Sequence, residues 1–239
     1  MNTTFVLVHG AFADQHAWDR VKPALEKEGN RVVTLDLPGH GDDPTPAQNV
    51  TLGTYVDVVR ELVEAQPGKV TLVGHSMAGM IISQVAEDLP QKLNELVYVC
   101  AYLPKNGDDL LSLSNTDAES QIGPNLELAA DYSTASLSTD NAVKIFAGDC
   151  SEDIKELVAN RNKPEPLAPF QGKVTLTDDR FSQVAKYYVQ TLKDVGVGTK
   201  LQQRMVADYG RIKQVFTVDS GHTPYFAQPE VLARILNGL

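Results

Sequence analysis

The sequence predicts an α/β fold: a mostly parallel central sheet flanked by helices, with one long insertion. Three observations predict it. Short, nearly continuous apolar runs alternate with amphipathic segments through the first hundred residues, as in β-α-β units whose strands are covered on both faces. These runs end in turns rich in glycine and proline, which punctuate such units. After a long polar stretch the same alternation resumes near residue 184.

Taken in order, "TFVLVHG" reads as a strand ending in a glycine turn. Trp18, Val21 and Leu25 then share one face of a helix that Gly29 ends, because residues three, four and seven apart meet on one side. "RVVTLDLPGHG" is the second strand, released by Pro38, Gly39 and Gly41. Thr51 is an N-cap, since its hydroxyl can accept an otherwise orphaned helical N–H; the helix it opens turns Tyr55, Val58, Val59, Leu62 and Val63 inward before Pro67-Gly68. "KVTLVGHS" and "ELVYVCAYLP" are two more strands, joined by a helix that Ser76 opens.

From 104 to 183 the periodicity weakens and "NKPEPLAPF" packs three prolines together. So long a structureless loop is unusual in a compact domain. The apolar residues Ile145, Phe146, Leu157, Val158, Val174 and Leu176 therefore predict a folded cap at 104–183, with 1–103 and 184–239 forming the core. "AKYYVQTLKD", a helix around Gln202 to Tyr209, the strand "KQVFTVDSGH" and a helix after Pro229 complete the chain.

The 239 residues carry a formal charge of −10, and no basic cluster offsets it, which argues against nucleic acid or an anionic membrane surface as partner. No apolar run approaches the roughly 20 residues that span a bilayer, and "MNTTFVLVHG" lacks the basic and long apolar parts of an export signal. Two cysteines make no disulfide framework and suggest a reducing compartment, the cytoplasm. Five scattered histidines offer no metal-binding spacing, and no cofactor is expected.

Residues 74–79 read Gly-His-Ser-Met-Ala-Gly, close to the G-x-S-x-G nucleophile elbow but with Ala78 in its final glycine position. Chance would produce so loose a pattern in on the order of one in ten chains of this length. Its context is more informative: it ends an apolar strand and opens a helix. There the Met77 amide can donate to an oxyanion, and "VHGAF" at the end of the first strand supplies a second donor at Ala11. In the order serine, acid, histidine that accompanies this elbow, the base must follow Ser76, and His222 is the only histidine that does. His9, His40 and His75 read as residues that shape loops or line a pocket, and His16 as part of a helix start. Asp194 ends the strand before and is the predicted acid; Asp219, three residues from His222, is its reserve.

These residues resemble the α/β-hydrolase superfamily, and within it the plant methyl esterases and hydroxynitrile lyases with their bacterial esterase relatives. The resemblance is carried by "FVLVHGAF", "VTLDLPGHG", "LVGHSMAG", "LVYVCAYLP", "QTLKD" followed by "LQQRM", and "VDSGH". It implies the α/β-hydrolase fold, a triad of Ser76, Asp194 and His222, and oxyanion amides at Ala11 and Met77. "VGVG" after Asp194 departs from the relatives' pattern. Lyases of this group place threonine after the first-loop histidine and lysine after the catalytic one; here those positions hold Gly10 and Thr223.

The expected function is therefore a serine carboxylesterase acting on small neutral esters, such as aryl or methyl esters or lactones. A cyanohydrin lyase and a non-catalytic ligand receptor are the alternatives. Leu103, Phe146, Phe170 and Phe226 are candidates for an apolar acyl pocket, and the family suggests a homodimer through the cap or an edge helix.

Overall fold

The computed structural model describes residues 2–239. Its elements run β1 (Thr4–Val8), α1 (Lys22–Lys27), β2 (Arg31–Thr34), α2 (Leu52–Glu64), β3 (Val70–His75), α3 (Ala78–Asp88) and β4 (Leu93–Val99). There follow α4 (Leu110–Ser114), β5 (Glu127–Leu128), β6 (Thr134–Ser136), α5 (Thr139–Ala147), α6 (Glu152–Arg161) and β7 (Glu165–Pro166). The chain closes with β8 (Ala185–Thr191), α7 (Thr199–Tyr209), β9 (Gln214–Val218), α8 (Pro224–Ala227) and α9 (Pro229–Asn237).

Six strands form one sheet in the order β2-β1-β3-β4-β8-β9, every pair parallel. Side chains alternate between its faces with the period of two that a strand imposes. Val6, Leu72, Leu96 and Tyr188 join a cluster with residues of α2, α3 and α7. Phe5, Leu7, Val73, Val97 and Val189 join another with Trp18, α1 and α9. The chain leaves β1 toward β2, then crosses back to β3 on β1's other side. That reversal opens a crevice at the carboxyl ends of β1 and β3, the place where such sheets bind ligands.

Most strands and helices fall where the apolar pattern puts them, with one change near the start. Trp18, Val21 and Leu25 are all buried in one cluster, yet they do not share one helix: a 3₁₀ turn at Gln15–Trp18 precedes α1. Pro23 lies in the first turn of α1. Lacking an N–H and fixed in φ, it starts a helix readily and cannot continue one from upstream. Gly29, at φ +84°, then ends α1 in the left-handed region that favours glycine. Thr51 caps α2 through a reciprocal pair: the Thr54 amide donates to Thr51 Oγ1 at 3.2 Å, and the Thr51 amide to Thr54 Oγ1 at 2.9 Å.

Between β4 and β8 lie α4 to α6 and a small antiparallel sheet, β5-β6-β7. Leu137, Ala142, Ile145 and Phe146 form a cluster of their own. Phe170, Val174, Leu176 and Phe181 instead join the cluster of α2 and α3, so this last stretch lies against the core.

Lys186 on β8 is buried although charged in water. Its Nζ donates to the Phe181 and Val184 carbonyls and lies 3.8 Å from the centroid of the Phe181 ring. Burial, helped by the charge of Arg211, lowers its pKa from 10.5 to about 7. Between these values the unfolded chain holds a proton that the folded chain has lost, so stability rises with pH. The urea midpoint should therefore climb between pH 7 and 9 relative to that of Lys186→Met. A difference that stays flat over this range would contradict the assignment.

Candidate active site

Ser76 stands between β3 and α3 with φ +53°, a left-handed conformation that costs a non-glycine residue free energy. Its backbone is held on both sides: its amide donates to the Val99 carbonyl at 3.2 Å, and its carbonyl accepts from the Tyr102 amide at 3.1 Å. The tightest approach at this elbow is at Gly79, where an added Cβ would lie 1.9 Å from the Tyr102 carbonyl oxygen. At Gly74 it would meet Ala78 and Ile82 at 3.0 Å. Ala78 itself is buried in the first turn of α3.

The structure brings Ser76, His222 and Asp194 together across 146 positions of sequence. Ser76 Oγ lies 3.0 Å from His222 Nε2, and His222 Nδ1 lies 3.0 Å from both Asp194 oxygens. Asp194 is buried and accepts four further hydrogen bonds. Oδ1 receives the Gly196 and Val197 amides at 2.7 and 2.9 Å; Oδ2 receives the Thr191 hydroxyl at 2.7 Å and Gln202 Nε2 at 3.1 Å. The "VGVG" turn is thus the cradle of this carboxylate. A Cβ on Gly196 would stand 2.6 Å from His222 Cγ, so the turn requires glycine beside the imidazole. Asp219, the reserve acid, instead pairs with Lys193 at 2.9 Å with its side chain 70% exposed.

His222 is braced from behind. His75 Nε2 donates to its carbonyl oxygen at 2.7 Å and Cys100 Sγ does so at 3.3 Å. Burial, then the neighbouring His222, keep the His75 pKa well below the usual histidine value, so His75 is neutral. The ligand atoms of His75, Cys100 and His222 lie within 4.8 Å of one another, but the first two already spend their hydrogens on the His222 backbone. Thr223 donates its hydroxyl to the Phe146 carbonyl at 2.5 Å, and Asp149 accepts the Gly221 amide at 2.6 Å. Both contacts tie the His222 loop to α5 and the residue segment after it.

The amides of Ala11 and Met77 have no protein acceptor among the described residues. Both residues line a cavity of about 440 Å³ together with Ser76. One hydrogen bond aims the first of them. His9 Nδ1 donates to the Gly10 carbonyl at 2.8 Å while its Nε2 accepts the Leu37 amide at 3.1 Å. The Gly10 carbonyl and Ala11 N–H belong to one planar trans peptide and point in opposite directions, so holding the carbonyl orients the amide. Burial, then the adjacent His40, lower the His9 pKa to about 3, which keeps the ring in the neutral state this arrangement needs. Gly10 has no room for a side chain: a Cβ would lie 2.8 Å from that of Ser76.

Of the four candidates for an acyl pocket only Phe170 lines the cavity at Ser76, beside Tyr102, Leu110 and Ile122. Phe146 and Phe226 line a smaller chamber that shares Ala11 and Phe12. Leu103 is core, its amide against Met205 Sδ at 3.4 Å. Periodicity could not separate these, since pocket and core phenylalanines look alike in sequence. No lysine or arginine lines the Ser76 cavity. The residues that position Asp194, Thr191 and Gln202, carried no signal of their own, because a buried glutamine is recognised only by its partners.

Comparison with known proteins agrees with this architecture. The profile of the alpha/beta hydrolase family matches residues 5–235. The chain is 31% identical over 246 residues to putative methylesterase 12, chloroplastic, of Arabidopsis thaliana, covering 97% of this chain and 70% of that protein. It is 26% identical to the pyrethroid hydrolase of Sphingobium wenxiniae, covering 98% and 86%. The crystal structure of polyneuridine aldehyde esterase superposes with a TM-score of 0.89 over 100% of this chain and 99% of that one, at 22% identity, a likeness of fold. The chain therefore belongs to the alpha/beta hydrolase family, in its methylesterase group of carboxylic-ester hydrolases.

Proposed function

We propose that the protein is a serine esterase that cleaves small neutral carboxylic esters through an acyl-enzyme at Ser76. The observation that carries this reading is the continuous hydrogen-bonded line from Ser76 Oγ through His222 to Asp194, beside two unpartnered amides at Ala11 and Met77. Relatives named methylesterase and pyrethroid hydrolase support an ester as the substrate class.

A serine hydroxyl is a weak nucleophile at neutral pH and needs a base. His222 Nε2 takes the proton as Ser76 Oγ attacks the ester carbonyl, and Asp194 stabilises the imidazolium through Nδ1–H. The carbonyl oxygen becomes an oxyanion that accepts the Ala11 and Met77 N–H groups. As the tetrahedral species collapses, His222 returns the proton to the departing alcohol. Water, deprotonated by the same nitrogen, then attacks the acyl-enzyme, and the second collapse releases the carboxylic acid and restores Ser76.

The cavity favours uncharged acyl groups, since Phe170, Leu110 and Ile122 surround it and no basic side chain is present to hold an anion. Residues 104–183 act in this reading as the cap that shapes it. The lyase alternative lacks its cation: Thr223 follows His222, and its hydroxyl is committed to Phe146. The helices are all too short or too polar to cross a membrane among the described residues, and the two unbridged cysteines suit a reducing compartment such as the cytoplasm.

The test is chemical. A fluorophosphonate, which phosphonylates activated serines, should add its mass to the Ser76 peptide alone and stop hydrolysis of an aryl ester in proportion. Stoichiometric labelling at another serine, with Ser76 unmodified and activity lost, would refute the reading.

A further inference from the structure

The proline-rich run "KPEPLAP" contains a buried carboxylate that the mechanism above does not use. Glu165 forms half of β7 and has no solvent-exposed surface. Its Oε2 accepts the Phe12 amide at 2.6 Å and His40 Nε2 at 2.9 Å, while Oε1 has no partner among the described residues. Burying a carboxylate with one oxygen unpaired is costly. Its local backbone holds it firmly: Pro166 restricts Glu165 to extended conformations, and Glu165 pairs with Ala135 of β6.

His40 can be placed in its charged form by geometry. Its Nδ1 faces the Pro38 carbonyl at 3.2 Å, and its Nε2 faces the carboxylate. Both partners are acceptors, so both ring nitrogens carry hydrogen. Burial opposes the charge, but Glu165 outweighs it and the His40 pKa is raised.

The Phe12 amide is the third link. Phe12 adopts φ +58°, a region that costs a bulky residue free energy unless its surroundings impose it. It directly follows Ala11, whose amide is the outer oxyanion donor in the proposed mechanism. Two side chains thus hold this loop from opposite ends: His9 grips the Gly10 carbonyl, and Glu165 grips the Phe12 amide. One grip comes from the core, the other from the small sheet of residues 104–183.

We propose that Glu165, hydrogen-bonded to His40, is a positioning residue that fastens the oxyanion loop to the cap, so that the Ala11 amide is aimed only when the cap is seated. The proposal rests on the Ser76 esterase reading. It makes the cap part of the catalytic apparatus as well as the wall of a pocket. A shift of the small sheet by an ångström or so would break the Phe12 contact and release the strained backbone beside the donor.

Steady-state hydrolysis of an aryl ester by Glu165→Ala and Glu165→Gln tests this, with Ser76→Ala in parallel. Glu165→Ala should lose about 100-fold in kcat, as for the loss of one oxyanion donor, with KM within a few-fold. Glu165→Gln keeps an acceptor of the same length and should lose less. A trifluoromethyl ketone, whose adduct with serine carries an oxyanion, should bind Glu165→Ala more weakly by the factor by which kcat/KM falls. The alcohol product, which places no acyl oxygen at the two amides, should bind as it does to wild type. A general structural defect would weaken both ligands and raise KM.

Where Glu165→Ala fails to fold, Glu165→Gln and His40→Gln carry the same comparison. Wild-type kcat in folded Glu165→Ala or, where that variant does not fold, in both Glu165→Gln and His40→Gln, or a kcat loss with unchanged ketone affinity, overturns the proposal. Hydrolysis by Ser76→Ala at the wild-type rate would instead overturn the esterase reading and, with it, the loop's role.

Discussion

Ser76→Ala is expected to lower kcat for ester hydrolysis by about 10⁶-fold, and adding His222→Ala to lower it little further. The reason is that in the proposed mechanism the two groups act as one unit. Ser76 Oγ and His222 Nε2 lie 3.0 Å apart, and in that mechanism the imidazole contributes chiefly by taking the proton that Ser76 gives up. Without the hydroxyl, the base has no nucleophile to activate. The activity that survives should come from the Ala11 and Met77 amides and from cavity binding, which the substitution leaves in place. Stopped assays over hours with an aryl ester measure both variants. Two losses that multiply would mean that the pair acts independently and that the hydrogen bond between them is incidental.

Asp194→Asn should lower kcat by about 10⁴-fold, while Asp219→Asn should leave it within about twofold, as is usual for surface changes. Asp194 receives four donors from Gly196, Val197, Thr191 and Gln202 besides His222. Every neighbour of the carboxylate therefore offers hydrogen. An asparagine must turn its NH₂ toward one of them, and when that neighbour is His222 Nδ1 the imidazole takes the tautomer protonated on Nε2. That tautomer cannot accept the Ser76 proton. Asp219 stands on the surface against Lys193 and touches none of this. Comparing kcat of the two variants decides between them, and a loss confined to Asp219→Asn would reverse the assignment.

Much of this is legible in the sequence. The strands that lead to Ser76 and Asp194, β3 and β8, are buried along almost their whole length, and such a strand is recognisable because helices cover both faces of a parallel sheet; β9, which leads to His222, is the edge strand, with only Val218 buried. The elbow was legible too, except at Ala78. There the motif's spacing pointed to the wrong residue: the contact that excludes a side chain is with the Tyr102 backbone, and it falls on Gly79. The split of the first helix at Pro23 was missed because a shared buried face looks the same whether one helix or two turns supply it.

What the sequence determines by itself here is periodic or ordered: the α/β layering, the position of each core strand, and the order of serine, acid and histidine along the chain. Such features depend on residues near one another or on the burial of whole segments. Sequence order already favours Asp194 over Asp219 as the carboxylate that faces His222; tertiary structure alone decided which phenylalanine lines the cavity, and that Glu165 of a proline-rich stretch reaches Phe12 across 153 positions. These are contacts that single side chains make with groups far away in sequence, and no local periodicity encodes them. They depend on where the folded sheet and the inserted segment bring hydrogen-bond donors and acceptors within 3 Å of each other.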